Sequence, residues 1–194
     1  MHCKRCAKCC LTSPPTLHKE DLSLIIEQKI LKDKLLVLRK GEIIFDHFKQ
    51  QYIVLKQELI KIVSTKLGCY FLKNQNCTIY EYRPIECKHF FCQNQQKILE
   101  IKDKNLLQRF DIINKNSAIG ELISEHEQKC SLQLIKKLLN TKQYSKLEKI
   151  IEWDEYLRKS LKDKISIPDN LLNFYFGRPV KEIINNTSHL IIHL

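Results

Sequence analysis

Apolar and polar positions change their rhythm partway along the chain. Leu22, Ile25, Ile26 and Ile30 recur at helical spacing, which predicts a helix from Lys19 to about Lys32 after the rigid exit Ser13-Pro14-Pro15. From Leu35 to Ile62 the apolar residues satisfy helical and strand periods alike, so pattern alone does not assign that stretch. Gly68 to Tyr82 reads as a hairpin: Cys69-Tyr70-Phe71-Leu72, a turn at Asn74-Gln75-Asn76, then Cys77-Thr78-Ile79-Tyr80. Arg83-Pro84 stops the second strand, and Pro84 suits the first turn of a short helix carrying Glu86 and Cys87.

Beyond Cys92 the pattern turns helical. Helices are predicted from about Gln95 to Ile113, Ala118 to Leu139 and Gln143 to Leu161, the last with Tyr144, Leu147, Ile150, Ile151, Leu157 and Leu161 at amphipathic spacing. Ser117 is placed to cap the middle one. Pro168-Asp169 opens a further short helix that Gly177 ends, and Pro179 opens another. The predicted fold class is α+β, mainly α. A small cysteine-rich, metal-stapled module with a β-hairpin (1–93) packs with a helical C-terminal region (94–194) as one domain.

Composition narrows the function. Four glycines (Gly41, Gly68, Gly120, Gly177) stand too far apart for a dinucleotide fingerprint or a Walker loop, both of which need clustered glycines for close backbone approach to phosphate. HExxH, GxSxG and the kinase motifs are absent, and no residue stands out as a general acid or base. The net charge of +11 invites a nucleic-acid reading, yet only six of the 33 basic residues are arginine. The lysines are spread along helical segments, which describes a solvated face, and the lysine, isoleucine and asparagine content is that of A/T-rich codons. Nucleic acid therefore stays an alternative partner, behind an unidentified protein or small-molecule substrate.

The nine cysteines change the picture most. No secretory leader pattern and no apolar run of membrane-spanning length is present, so the expected location is cytoplasmic, where thiols stay reduced. Closely spaced cysteines there mean metal more often than disulfides. Eight of the nine lie between positions 3 and 92. Cys3-x2-Cys6-x2-Cys9-Cys10 resembles both a zinc-binding turn and the start of a ferredoxin-type run, and Cys69, Cys77, Cys87 and Cys92 can join it on folding. Adjacent Cys9 and Cys10 are expected to point apart and to serve different metals, or to leave one thiol outside the ligand set. Eight sulfurs suffice for two four-sulfur sites, for one iron–sulfur cluster (4Fe-4S) with a structural zinc, or for a thiolate-bridged cluster. Cys130, embedded in a helical pattern, reads as a small core hydrophobe. Lys4, Arg5, Lys8, Arg83 and Lys88 flank the cysteines and would offset thiolate charge, against Glu81 and Glu86. Two four-thiolate centres would each add about −2, bringing +11 near +7.

These residues also carry a resemblance. Cys3-x2-Cys6-x2-Cys9-Cys10, then Gly68-Cys69-Tyr70-Phe71-Leu72, then Cys77-Thr78-Ile79-Tyr80-Glu81-Tyr82-Arg83-Pro84-x2-Cys87-x4-Cys92, resembles the CxxCxxCC cysteine-cluster family, also called YkgJ-like, over roughly residues 1 to 93. The resemblance implies a zinc or iron site built from these cysteines, with an iron–sulfur cluster often proposed. Flagellin lysine methylases are similar to this domain, which implies methyl transfer to a protein lysine as one group-transfer activity. No S-adenosylmethionine site can be placed on this chain.

Around the cysteines, Arg83 has two readings: donor to cluster sulfur or to a substrate carboxylate, and, favoured, a structural arginine that caps the hairpin and offsets thiolate charge. His89 reads as a residue next to the ligands, with His2 and His18 as weaker ligand candidates. Tyr80, Tyr82, Phe90 and Phe91 would shield the site from water. Trp153 and Phe174-Tyr175-Phe176 read as packing contacts. The leading function is an iron–sulfur or zinc protein with redox or group-transfer chemistry. The alternative is a structural zinc module that acts without catalysis as a partner-binding or nucleic-acid-binding protein.

Overall fold

Among the described residues of the first 112 no helix exceeds six residues, whereas the later helices run from eight to 22. The computed structural model describes residues 5–91 and 94–191, the last five as backbone alone. In chain order the elements are α1 (Lys8–Thr12), α2 (Leu22–Ile26), β1 (Leu35–Leu38), β2 (Ile43–Asp46), β3 (Gln51–Val54), β4 (Leu59–Ile62), β5 (Ser64–Thr65), β6 (Gly68–Cys69), β7 (Leu72–Lys73) and β8 (Asn76–Cys77). Then come α3 (Ile85–His89), α4 (Gln96–Ile101), α5 (Arg109–Ile112), α6 (Ala118–Lys129), α7 (Leu132–Asn140), α8 (Tyr144–Ile165), α9 (Asp169–Phe176) and α10 (Val180–Ile191). Helix makes up 51% and strand 16%, so the architecture is α+β and mainly α, as the pattern predicts. Among the described residues no helix is long and apolar enough to cross a membrane.

The chain forms two compact units. The first comprises Met1–Leu36 and Leu59–Ile112, the second Val37–Glu58 and Ile113–Leu194. In the first, the extended segment around Leu17 is held from two sides. Leu17 donates to the Ile60 carbonyl at 2.8 Å and Ile62 to Pro15 at 3.1 Å, while Leu107 donates to Leu17 and Lys19 to Asn105. Leu17, Ile30, Leu35, Ile60, Ile98 and Leu107 are fully buried around it.

This pairing explains two departures from the predicted helices. The Lys19–Lys32 helix ends at Ile26, because Gln28 takes a left-handed φ of 56° and the chain turns back, letting Ile30 donate to the Leu24 carbonyl and bury completely. Ile26 is left exposed. The Gln95–Ile113 helix breaks into α4 and α5, since Leu106 and Leu107 are extended alongside residues 17 and 18 and Asn105 is left-handed. The unassigned stretch from Leu35 to Ile62 is β1 to β4.

In the second unit, β2 and β3 form a hairpin in the register Ile43↔Val54 to Asp46↔Gln51, its turn fixed by Asp46 Oδ1 accepting from the Phe48 and Lys49 amides. The helical core packs Cys130, Leu132, Ile135, Leu147, Val180, Ile183 and Ile184 together, with Trp153 against them. The predicted Ala118–Leu139 helix is two helices, α6 and α7, broken at Cys130-Ser131. Ser117 caps α6 by accepting from the Gly120 amide, and Pro168, Gly177 and Pro179 bound α9 and α10 as predicted. Phe174 and Phe176 are fully buried, which makes that triplet a core contact.

Candidate metal centre

Ala7, left-handed at φ 58°, turns the chain into α1, a single helical turn that carries Cys9 and Cys10. Successive helical side chains diverge by about 100°, the basis for expecting the two thiols to part. They do not: their Sγ atoms lie 3.9 Å apart. Two metal–sulfur bonds of about 2.3 Å at a tetrahedral angle span about 3.8 Å, so one ion can take both thiols.

Gly68 brings the strand of the next cysteine against α1, although among the described residues no three cysteine sulfurs lie within 4.8 Å of one another. The φ of Gly68 is +98°, and a Cβ there would stand 2.5 Å from the Cys10 carbonyl oxygen and 2.9 Å from Leu11 Cα. Only a residue without a side chain lets β6 lie against α1, and Cys69 follows immediately. β6 pairs with β5, while β7 pairs with β8 across a two-residue turn, Asn74-Gln75, with φ values of 49° and 62°. The single long hairpin predicted from Gly68 is thus two tight ones. The strand ends at Cys77, and Tyr80–Tyr82 forms a 3-10 turn. The backbone at Phe71 eases ionisation of Cys69, and that at Ile79 eases Cys77, against the burial that pushes both thiols up.

Cys87 rides on α3, and the buried carboxylate of Asp21 and the half-buried one of Glu86 hold that helix. Asp21 Oδ1 accepts from the Ile85 amide at 2.8 Å, and its Oδ2 from the His18 amide at 3.0 Å. Glu86 Oε2 accepts from the Thr16 amide at 2.7 Å, while its Oε1 lies 3.4 Å from His18 Nε2. His18 Nδ1 meets the Lys104 carbonyl at 2.8 Å, so both ring nitrogens of this weak ligand candidate are engaged. Sequence reasoning missed Asp21, and it read Glu86 only as an opposing charge. A polar residue that alternates with buried Leu17 and Leu24 is too common a signal to separate them from surface acids.

The thiols of Cys10, Cys69, Cys77 and Cys87 all feel the charge of Cys9. Cys10 donates toward Cys9, whose pKa falls to about 6, and the Cys10 thiol rises in consequence. Burial pushes Cys69, Cys77 and Cys87 up, with neighbouring thiols adding to the effect. Lys61 eases Cys69 and Arg83 eases Cys77. Arg83 also donates Nη1 to the Tyr80 carbonyl at 2.7 Å. The guanidiniums of Arg5 and Arg83 each lie 4.0 Å from the Tyr80 ring centre, so this ring gathers positive charge beside the thiols. Tyr82, His89, Phe90 and Phe91 are half-buried nearby in sequence, and Cys6 is exposed just ahead of α1. Cys3 and Cys92, with His2 and Lys4, lie outside the described residues.

The donor set fits a thiophilic metal. One thiol ionises near neutrality and four hold their protons, so loading is expected to release about four protons per chain from these five residues at pH 7.5. Calorimetric titration in buffers of different ionisation enthalpy reads that number. Release of one proton or none would show that these thiols do not ligate.

A family model, CxxCxxCC, described as "Putative zinc- or iron-chelating domain", matches residues 2–105, which include all eight clustered cysteines. No curated protein and no solved structure matches the chain.

Proposed function

Since this chain belongs to the CxxCxxCC family of zinc- or iron-chelating domains, we propose that its first unit holds an iron–sulfur cluster for redox or group-transfer chemistry. Cys9, Cys10, Cys69, Cys77 and Cys87 are the proposed ligand pool, with Cys3, Cys6 and Cys92 completing it. The observation that carries this reading is the Cys9–Cys10 pair, its Sγ atoms 3.9 Å apart, on a helical turn against which Gly68 lays the strand of Cys69.

Such a cluster, when bound, supplies one-electron transfer or a Lewis-acidic iron. The chain's own residues hold and condition it. Cys9 offers the first thiolate, Asp21 and Glu86 fix the helix that presents Cys87, and Arg83 and Lys61 offset the charge of the loaded site. Methyl transfer to a protein lysine, implied by the sequence resemblance, is the group transfer to assay first.

Anaerobic purification with metal analysis and an absorption spectrum tests the reading. Iron, acid-labile sulfide and a broad visible band are expected, with Cys87→Ser losing most of all three. A colourless protein that holds only zinc after anaerobic iron reconstitution would sink it, and would leave a structural zinc module that acts by binding a partner.

A further inference from the structure

A second group of metal-ligating side chains lies in the second unit, away from the cysteine-rich sequence. His126 and Cys130 stand one helical turn apart at the end of α6, and Asp154 faces them from α8. One donor atom from each lies within 4.8 Å of the other two, and all three residues are buried. Cys130 is the cysteine that sequence alone assigns to the core, and it packs in one apolar cluster with Leu132, Ile135 and Val180.

Hydrogen-bond accounting sets this group apart from ordinary packing. His126 is fully buried, and its Nε2 meets Asp154 Oδ1 at 2.8 Å. A carboxylate accepts only, so the proton sits on Nε2 and Nδ1 keeps a bare lone pair. That Nδ1 has no hydrogen-bond partner. Asp154 Oδ1 also accepts from Arg158 Nε at 2.9 Å, and Oδ2 from the Val180 amide at 2.9 Å. The ring therefore cannot turn without stripping Asp154 of a donor. Arg39 donates Nη2 to the carbonyl of Cys130 at 2.6 Å, and its buried Nη1 lacks an acceptor. A bare acceptor, an unmatched donor and a buried thiol thus meet around one residue.

We infer that His126 Nδ1 and Cys130 Sγ bind a single thiophilic metal ion, with Asp154 holding the imidazole in the required tautomer. Carboxylate–histidine–metal arrangements of this kind are the usual way a protein aims an imidazole at an ion. The chemistry matches the gap at the ring: the ion takes the lone pair that Nδ1 otherwise leaves unmatched in a fully buried site. Bonds of about 2.0 Å to nitrogen and about 2.3 Å to sulfur let one ion bridge an imidazole and a thiolate about 4.3 Å apart at a near-linear site.

Charge selects the class of ion. Arg39, Arg158 and Arg178 are paired with Glu127, Asp154 and Glu42, so the neighbourhood is already balanced. Exchange of the Cys130 proton for a monovalent ion keeps that balance, whereas a divalent ion leaves one uncompensated positive charge in a buried site. Soft thiolate with imidazole at low coordination is a donor set for Cu(I). This site is independent of the cluster proposed for the first unit, so one can fail without the other.

Trp153, the chain's single tryptophan, has its ring centre 6.0 Å from that of His126, which provides a local probe. Buffered Cu(I) added anaerobically to the metal-loaded full chain is expected to quench Trp153 emission saturably at one equivalent. In Cys130→Ala the apparent affinity should fall at least tenfold, with the unfolding midpoint confirming that the variant is folded. Crystals from the same preparation should show anomalous density at the copper edge bonded to His126 and Cys130. Unchanged Trp153 emission while copper enters the first unit, or quenching that survives in Cys130→Ala, would overturn the site. Zinc bound there to Asp154 in preference to Cu(I) would overturn the argument from charge.

Discussion

Gly68→Ala is expected to abolish most metal binding in the first unit and to destabilise that unit by on the order of 2–4 kcal/mol. Left-handed backbone at φ +98° already costs a residue with a side chain about 1–2 kcal/mol. The added methyl would also stand 2.5 Å from the Cys10 carbonyl and 2.9 Å from Leu11 Cα, both of them backbone atoms that no rotamer change can move. The only relief is separation of β6 from α1, which takes Cys69 away from the Cys9–Cys10 pair. Metal per chain and thermal unfolding of the anaerobic protein measure the two consequences together. Asn74→Gly serves as a control, since it suits the left-handed turn residue at φ 49° and touches no thiol, and its metal content should match the parent. Full metal content in Gly68→Ala would show that α1 and β6 need not touch for the centre to form.

Legibility of this molecule in its sequence followed the range of the interactions involved. Pro84, Pro168, Ser117 and Gly177 act through their own backbone or that of the next turn, and the elements they bound are where the pattern puts them. The helices that were predicted too long failed for a non-local reason. Leu106 and Leu107 carry helical periodicity, yet they pair with residues 17 and 18, some ninety positions away, and that pairing overrides local preference. The candidate site divides in the same way. Cysteine spacing marks the thiols, because ligands to one ion repeat at the pitch of a turn. The two carboxylates that hold α3 leave no such trace, as Asp21 reaches Ile85 across 64 residues. Cys9 and Cys10 show a third limit. Their divergence is sound for an extended helix, but α1 is one turn long and their side chains swing together to 3.9 Å.

Asp154→Ala is expected to lower the stability of the second unit by about 3–5 kcal/mol, the usual cost of removing one partner from a buried ionic group. Its carboxylate accepts from His126, Arg158 and the Val180 amide, and all three donors would be left buried without it. Arg158 would keep its bond to the Gly177 carbonyl at 2.9 Å, but its charge would lose its counterpart. The pH dependence of the parent protein tests the same network. Burial works against the charge on Asp154, yet His126 and Arg158 outweigh it and hold the group below the usual carboxylate range. Burial likewise holds His126 below the usual histidine value, against the pull of Asp154. Both depressed groups contribute stability that is present above their unfolded values and is lost as pH falls. His126 therefore begins to weaken the unit below about pH 6.5, at no more than about 1.4 kcal/mol per pH unit, and Asp154 follows in the acid range. Trp153 packs against the core of this unit, so its emission reports urea unfolding there. A midpoint unchanged in Asp154→Ala, or flat from pH 7 to 5 in the parent, would show that packing alone holds these helices together.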